Sequence, residues 1–545
     1  MKLPVIQNAF ENVKKFSQEK LVEKYPNEVP ETIQKRYLQE LTFLENSDHI
    51  DDFEIFRCLS EEAKKSNTLI NMRGTISGSI LCYLLGNHSF NPLSAHYYCT
   101  ECGYYEKVDT HLFGIDLSSR KCPCCNTEMW ADGYNLSLES VWGIDGKKSI
   151  SFEYNVNSEF LAFARRTLEK IYPDQEVARW GMFQFNSTQF DERMIGVNLV
   201  GYAILPSENT IQDYTDLISY LENGDICITG GILELQEHSI KPVRLLTVEI
   251  LDELTELQRQ TGIYANEIGN KELREIMWSN ICNTAAPSRD LQMLFQKVKP
   301  KTYRDMVALE SSVHSTFSWQ NGQQGYFDVD KFIEMTTTND FKIYPCFTRE
   351  DFYDYMIENG VDRVRAYEAF ECIRKGYAVS VKHKDEWKHL EIPEGIKNVA
   401  KNYRYVFPRA HCIGYVLGYA KMAYYAFYRR QCNKDTCLRQ NRKPVYRYSC
   451  RYHRINVLQQ IQKHKASGLV GFLQWKTLCS NYCRSCFYSC ICCFIIRMAI
   501  TFRCTCCSWK RYCWSGCCRS RYLCIPQPTA DPYRITSRTE QRILV

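Results

Sequence analysis

Two pairs of cysteines carry the sharpest chemical signal in the chain. Cys99-Thr-Glu-Cys102 and Cys122-Pro-Cys124-Cys125 give C-x2-C, a spacer of 19 residues and a second C-x2-C. Each pair can turn as a knuckle that offers two thiolates to one ion, and a spacer of this length closes a small ribbon around tetrahedral zinc. Four protein ligands (Cys99, Cys102, Cys122, Cys125) leave no open coordination position, so such an ion staples a fold and does no chemistry. The alternative is a set of free buried thiols, with Cys124 as a spare.

A second candidate is the small-residue loop Asn71–Ser79. Around Gly74, Ser77, Gly78 and Ser79, backbone N–H groups can approach a polyphosphate, and Arg73 adds charge. A plain Gly-Ser turn would read the same way. Further on, Arg374 and Lys375, with Arg409, His411 and Lys421 among tyrosines, suit phosphates and stacked bases. A solvated helix face would use the same residues. His314, Thr316 and Trp319 suit a core corner as well as a substrate contact.

These groups need elements to hold them. Apolar positions at three- and four-residue spacing predict two helices over residues 8–45, broken at Pro26–Pro30, and another from Asp51 to Ser66. Residues 95–135 are short, Cys- and Gly-punctuated and strand-like. Val197–Pro206, Ile226–Leu233 and Val243–Leu251 read as strands and Glu249–Thr261 as a helix, which makes the class α+β. Residues 290–428 are mostly helical, including Arg349–Asn359, Asp362–Lys375 and Ala410–Tyr428. No repeat of 20–50 residues is visible.

Several stretches, taken in order, resemble one family. They are "EKLVEKYPNEVPETIQKRYLQEL", "MRGTISGSI", "FNPLSAHYYCTECGYY", "KCPCCNTEMWADGYNLSLESVWGIDGKK", "KPKTYRDMVALESSVHSTFSW", "AFECIRKG" and "NYRYVFPRAHCIGYVLGYAKMAYYAFY". This succession resembles the polymerase core of PolC-type bacterial DNA polymerase III. The resemblance implies a polymerase-beta-like nucleotidyltransferase palm with an inserted four-Cys zinc module, followed by a mainly helical fingers region. It divides the chain into residues 1–95 (first part of the palm), 96–135 (zinc module), 136–290 (rest of the palm), 291–430 (fingers) and 431–545 (tail). It also implies DNA primer-template and dNTP as partners, replication-machinery proteins as possible ones, and Arg73, Gly78, Ser79, Arg374, Lys375, Arg409 and His411 as nucleotide-binding positions.

Such polymerases join nucleotides with two magnesium ions about 4 Å apart, held by carboxylates because magnesium prefers hard anionic oxygens. The resemblance places the family's metal-binding aspartates at Ser151 and Glu153 in "SFEYNVNSEF" and at Glu249 in "LLTVEIL". One carboxylate has become a hydroxyl and two have gained a methylene, which moves their oxygens by about 1.5 Å. Displacements near 1 Å cost roughly 100-fold in rate. Catalysis is therefore expected to be weakened or lost, leaving a DNA- or nucleotide-binding relative as the other reading. The resemblance takes in the palm and fingers alone, so no proofreading exonuclease activity is expected.

The chain has 545 residues, 45% hydrophobic and 24% charged, with a net charge of +5, enough for about two to four domains. No signal peptide or apolar run near 20 residues is found, which points to the bacterial cytoplasm and away from a membrane. Charge and cysteine are unevenly spread. After Gln431 only Asp435, Asp531 and Glu540 are acidic, and 16 of the 28 cysteines follow it. The body before it is net acidic, so any basic nucleic-acid footprint there must be local. The tail reads either as a Cys-rich metal module, with Cys483-x2-Cys486 as a knuckle, or as out-of-frame translation that would be disordered.

Overall fold

Three amphipathic helices, Ala9–Lys24, Glu31–Glu45 and Ile50–Lys65, open the described chain. Their buried positions include Val13 and Leu21, then Ile33, Tyr37, Leu41 and Leu44, then Phe53, Phe56 and Leu59. The spacing is the helical stripe the sequence shows, and Pro30 stops the chain just before Glu31. The computed structural model describes residues 3–434 apart from 87–89, 189–190, 222, 318–319 and 322–325. The tail from Asp435 on, with Cys483 and Cys486, and Trp319 lie outside the described residues.

The strands of the first half are β1 (Ile70–Met72), β2 (His96–Tyr98), β3 (Tyr105–Lys107), β4 (Trp130–Asp132), β5 (Glu153–Val156), β6 (Val177–Thr188), β7 (Asp191–Ile204), β8 (Ile218–Tyr220), β9 (Ile226–Thr229) and β10 (Lys241–Thr247). Seven form one mixed sheet in the order β1-β5-β10-β7-β6-β9-β8. β5 and β10 run parallel, with Arg244 opposite Glu153, and β1 runs antiparallel to β5, with Asn71 opposite Asn155. Side chains alternate between faces along a strand. Tyr154, Val156, Val243 and Leu245 therefore pack into the core made by the three opening helices. Their neighbours Glu153, Asn155, Arg244 and Leu246 face the other way. β2, β3 and β4 form a separate three-stranded sheet.

The architecture is α+β, as expected, and the second half is helical. Helix starts there are chemically marked. Ser288, Thr302, Thr348 and Asp362 each accept a backbone N–H from the following first turn, which satisfies donors the helix itself leaves open. Asp305 and Asp351 return a bond to the backbone N–H of Thr302 and Thr348 at 3.1 and 2.7 Å, completing capping boxes. The long helix Arg409–Lys434 begins one residue before and runs past the expected Ala410–Tyr428. Among the described residues no helix is long and apolar enough to cross a membrane.

Two strand expectations are corrected at their C-terminal ends. The runs Ile226–Leu233 and Val243–Leu251 leave the sheet at Thr229 and Thr247, and helices begin at Ile232 and Glu249. Short apolar runs do not by themselves separate strand from helix. Acidic first turns do, with Glu234 in one helix and Glu249 and Asp252 in the other; Glu234 takes the Gly231 N–H at 3.1 Å. Both stabilise a helix N-terminus.

Gly376 closes the helix Arg363–Arg374 with φ +69°, and a Cβ there would lie 2.4 Å from the Arg404 carbonyl oxygen. Gly376→Ala combines left-handed strain with a backbone clash. It is expected to lower stability by about 1–3 kcal/mol, read as a shift of the urea midpoint at unchanged slope.

Candidate functional site

β5 begins at Glu153, and the parallel register sets Arg244 beside it. Arg244 Nη1 donates to Glu153 Oε1 at 2.6 Å, and Arg73 Nε stands 3.5 Å from Oε2. The Arg73 N–H also donates to the Glu153 carbonyl at 2.8 Å. The carboxylate thus lies between two guanidinium groups. Ser151 precedes the strand and is exposed. Glu249 is exposed at the start of its helix, two residues past the end of β10, whose Arg244 pairs with Glu153.

Magnesium takes near-octahedral oxygen ligands and needs carboxylate charge. Here one expected ligand is a neutral hydroxyl, one is held between two arginines, and the third opens the helix that follows the neighbouring strand. The three residues do not fit a magnesium pair. Glu159 is likewise engaged, with Arg259 bound to both its oxygens at 3.0 and 2.6 Å.

The nearby cleft is built from β1, β5, the segment after β10 and the helix Arg409–Lys434. Asn71, Arg73, Asn155, His411, Gly414 and Tyr415 line it. His411 is buried beside Arg73, His314 and Arg349, and desolvation with their charge pushes its pKa down to about 3. Its imidazole is therefore neutral at pH 7. His314, Phe407 and Tyr415 have ring centroids within 6.0 Å of it, which fixes its orientation.

The Gly-Ser loop divides between cleft and core. Arg73 and Gly74 reach the cleft. Ser79 is fully buried, donates to Glu40 and caps Leu81 N at 3.1 Å. Glu40 also accepts Trp142 Nε1 at 2.9 Å and Ile80 N at 3.2 Å. A Cβ on Gly78 would lie 3.2 Å from both Leu136 and Val141. Gly78 and Ser79 thus close the core below the cleft, and only the front of the loop lines it.

The remaining basic positions also separate. Arg409 is 2% exposed. It donates to Asp351 at 2.8 Å, Asp354 at 2.7 Å and the Asn135 carbonyl at 2.7 Å. Three partners hold this guanidinium inside the protein, where the sequence reading expected a phosphate contact. Lys421 is buried, which lowers its pKa to about 7. Arg374 binds Glu371 at 2.6 Å and stays one-third exposed, while Lys375 is exposed, 5.8 Å above the Tyr377 ring. The sequence reading passed over Asn71 and Arg244. For Arg244 a signal existed: it is the one charged residue between Val243 and Leu246 in an apolar strand.

The four cysteines come together. All four sulfurs lie within 4.8 Å of one another, with Cys99–Cys125 at 3.3 Å and Cys102–Cys122 at 3.5 Å. Sulfurs around one tetrahedral zinc would stand about 3.8 Å apart, so the group fits a metal. Both knuckles close the same way. Gly103 N–H donates to the Cys99 carbonyl and Asn126 N–H to the Cys122 carbonyl, each at 2.9 Å. Gly103 and Asn126 have φ of +77° and +62°, which glycine and asparagine tolerate best. Cys124 is exposed, and its backbone N–H donates to Cys122 Sγ at 3.4 Å.

The chain is similar in sequence to known proteins. The family described as "Bacterial DNA polymerase III alpha NTPase domain" matches residues 11–266. A protein named "DNA polymerase III PolC-type" from Thermotoga maritima is 23% identical over 477 residues, covering 77% of this chain and 34% of that protein. Proteins of the same name from Caldanaerobacter subterraneus and Mycoplasmopsis pulmonis are each 24% identical, over 482 and 485 residues. They cover 78% of this chain and 34% and 33% of their own lengths. The chain spans about a third of the length of these curated relatives.

Proposed function

Because the chain is a PolC-type DNA polymerase III alpha-like protein, we propose that it keeps the polymerase framework as a DNA- and nucleotide-binding relative and has lost two-metal nucleotidyl transfer. In this reading residues 1–95 and 136–290 are the palm, 96–135 a structural zinc module and 291–430 the fingers. Primer-template, dNTP and replication-machinery proteins in a bacterial cytoplasm are its partners.

One observation carries the proposal: the Glu153 carboxylate is ion-paired to Arg244 at 2.6 Å and flanked by Arg73 at 3.5 Å. A carboxylate set between two guanidinium groups has its charge already offset, and the two fixed cations repel a magnesium ion brought to it. Ser151 adds no compensating charge. The residues that remain suited to substrate are the cationic ones. Arg73 at the cleft and Arg374 and Lys375 on the surface can meet phosphates without metal. The neutral His411 and Tyr415 can pack against a base or sugar.

Single-nucleotide primer extension by the full chain, with magnesium and then manganese, tests this. The expected result is no extension above the protein-free control, in the parent chain and in Glu153→Ala alike, with primer-template still bound. Extension that disappears in Glu153→Ala would show a working metal site and reverse the reading. Ser151→Asp supplies the charge at one position only and is expected not to restore synthesis.

A further inference from the structure

The four-cysteine ribbon carries a fifth thiol that the metal set leaves over. Cys99, Cys102, Cys122 and Cys125 bring their sulfurs within 4.8 Å of one another, and Cys124 stands outside that group. Cys124 closes the second knuckle through its backbone, whose N–H donates to Cys122 Sγ at 3.4 Å. Any residue except proline supplies that bond, so the turn does not call for sulfur at this position. The thiol itself is exposed.

Its neighbours decide what it can do. Cys122 Sγ is 3.5 Å from Cys102 Sγ in the other knuckle, and the thiols of both interact with the Cys124 thiol. Cys122 is buried, whereas Cys102 is exposed. Cys102 is thus a metal-ligand sulfur that both solvent and a spare thiol reach. The other pairings are poorer. Cys125 is the next residue, and adjacent Cα atoms, about 3.8 Å apart, are closer than a disulfide prefers. Cys99 is buried and faces Cys125 at 3.3 Å. Exposed thiols set beside a second thiol are the ones that take up an oxidant reversibly.

We propose that Cys124 and Cys102 are a redox switch on the ribbon: a peroxide joins them as a disulfide and so withdraws one ligand from the metal set. The Cys124 thiolate takes one oxygen from hydrogen peroxide, becoming a sulfenic acid and releasing hydroxide. The Cys102 thiolate then attacks that sulfur. The S–S bond forms as the S–O bond breaks, and the departing hydroxide takes up a proton as water. Both electrons have gone to the peroxide. Three thiolates remain where four closed the tetrahedron, and an added dithiol reverses the change. The inference rests on the ribbon being a zinc module, and it is independent of whether the palm carries out synthesis.

Treating the zinc-loaded full chain with hydrogen peroxide tests it, with zinc release read by a chromogenic chelator and cysteine links mapped by tandem mass spectrometry. The parent is expected to lose zinc as a link between Cys102 and Cys124 appears, and to regain it with dithiothreitol and added zinc. Cys124→Ser keeps all four ligands and is expected to lose zinc at least about fivefold more slowly. Its loss should not reverse, because a ligand sulfur with no resolving thiol goes on to the sulfinic acid. Zinc loss at the parent rate in Cys124→Ser overturns the inference, as does an oxidised parent ribbon in which Cys124 stays reduced. Should Cys124→Ser fail to hold zinc, the link map of the parent decides. Metal analysis before oxidation keeps the two readings apart. A chain that binds no zinc removes the module and with it the switch, whereas a zinc-bearing chain that fails the oxidation test removes the switch alone.

Discussion

Stripping the metal from the four-cysteine ribbon is expected to unfold it. The purified chain should carry one equivalent of zinc, and a strong chelator or Cys99→Ser should release it with loss of the β2–β3–β4 sheet. Tyr98 and Trp130 pack on the opening helices, but the two knuckles and the far side of the ribbon have little besides the cysteines to hold them. The three strands are three residues long each. The core beneath them is a small cluster around Ala95, Tyr97, Leu117, Met129 and Ala131, of which Cys99 and Cys122 are themselves part. A unit of about 40 residues buries too little apolar surface to stand without a staple. Structural zinc in small folds supplies on the order of 10 kcal/mol of apparent binding energy, more than any other single contribution here. Metal analysis with a thermal melt before and after chelation checks this. An unchanged melt in a chain without stoichiometric metal would leave a cluster of packed thiols only.

Replacing Arg409 should have the next largest effect, and on stability. Its guanidinium is the common partner of Asp351 and Asp354, its backbone N–H donates to Glu350 at 2.6 Å, and Arg304 shares Asp351 at 3.1 Å. Arg409→Met would leave the buried Asp351 and the half-buried Asp354 with Arg304, which pairs with Asp351, as the remaining cation. Removing one partner of a buried ion pair costs about 3–5 kcal/mol, because the charges left behind remain desolvated. The deficit also has a pH signature. Arg409, Arg304 and two backbone N–H groups hold the Asp351 pKa below its ordinary value of 3.8 against desolvation. A depressed carboxylate contributes stability that is present above the unfolded value and is lost as pH falls through the folded one. The gap between parent and Arg409→Met should therefore be widest at neutral pH and narrow below about pH 4. Urea unfolding at pH 7 and at about pH 3 checks both parts. A gap that stays constant, or lies under about 1 kcal/mol, would make Arg409 a surface-like ion pair.

These two cases divide what the chain shows in one dimension from what it does not. The four-cysteine ribbon was legible because its information is local. Two knuckles of four residues and one spacer state the ligand set outright, and positive-φ positions suited to Gly103 and Asn126 lie within each turn. The helices were legible for the same reason. Their apolar spacing, their Ser, Thr and Asp caps and the Pro30 stop all lie within a few residues of the element they define. The α+β class follows from those local signals, as does the order of motifs that marks the family.

The candidate site was decided by pairings that cross the sequence. Arg244 reaches Glu153 over 91 residues, Arg409 reaches Asp354 over 55, and Ser79 reaches Glu40 over 39. Residue type states what a side chain can bond to, while the sheet register and helix packing state which partner reaches it first. Glu153 has the type of a metal ligand and is bound by two arginines. Arg409 has the type of a phosphate ligand and is enclosed by carboxylates. Asn71 and Asn155 show nothing unusual in the sequence, and only the antiparallel register places their unpaired oxygens side by side in one cleft. Local chemistry thus determined the elements and the metal staple, and tertiary structure determined which charges were left for function, because buried charges bind the nearest opposite charge the fold presents.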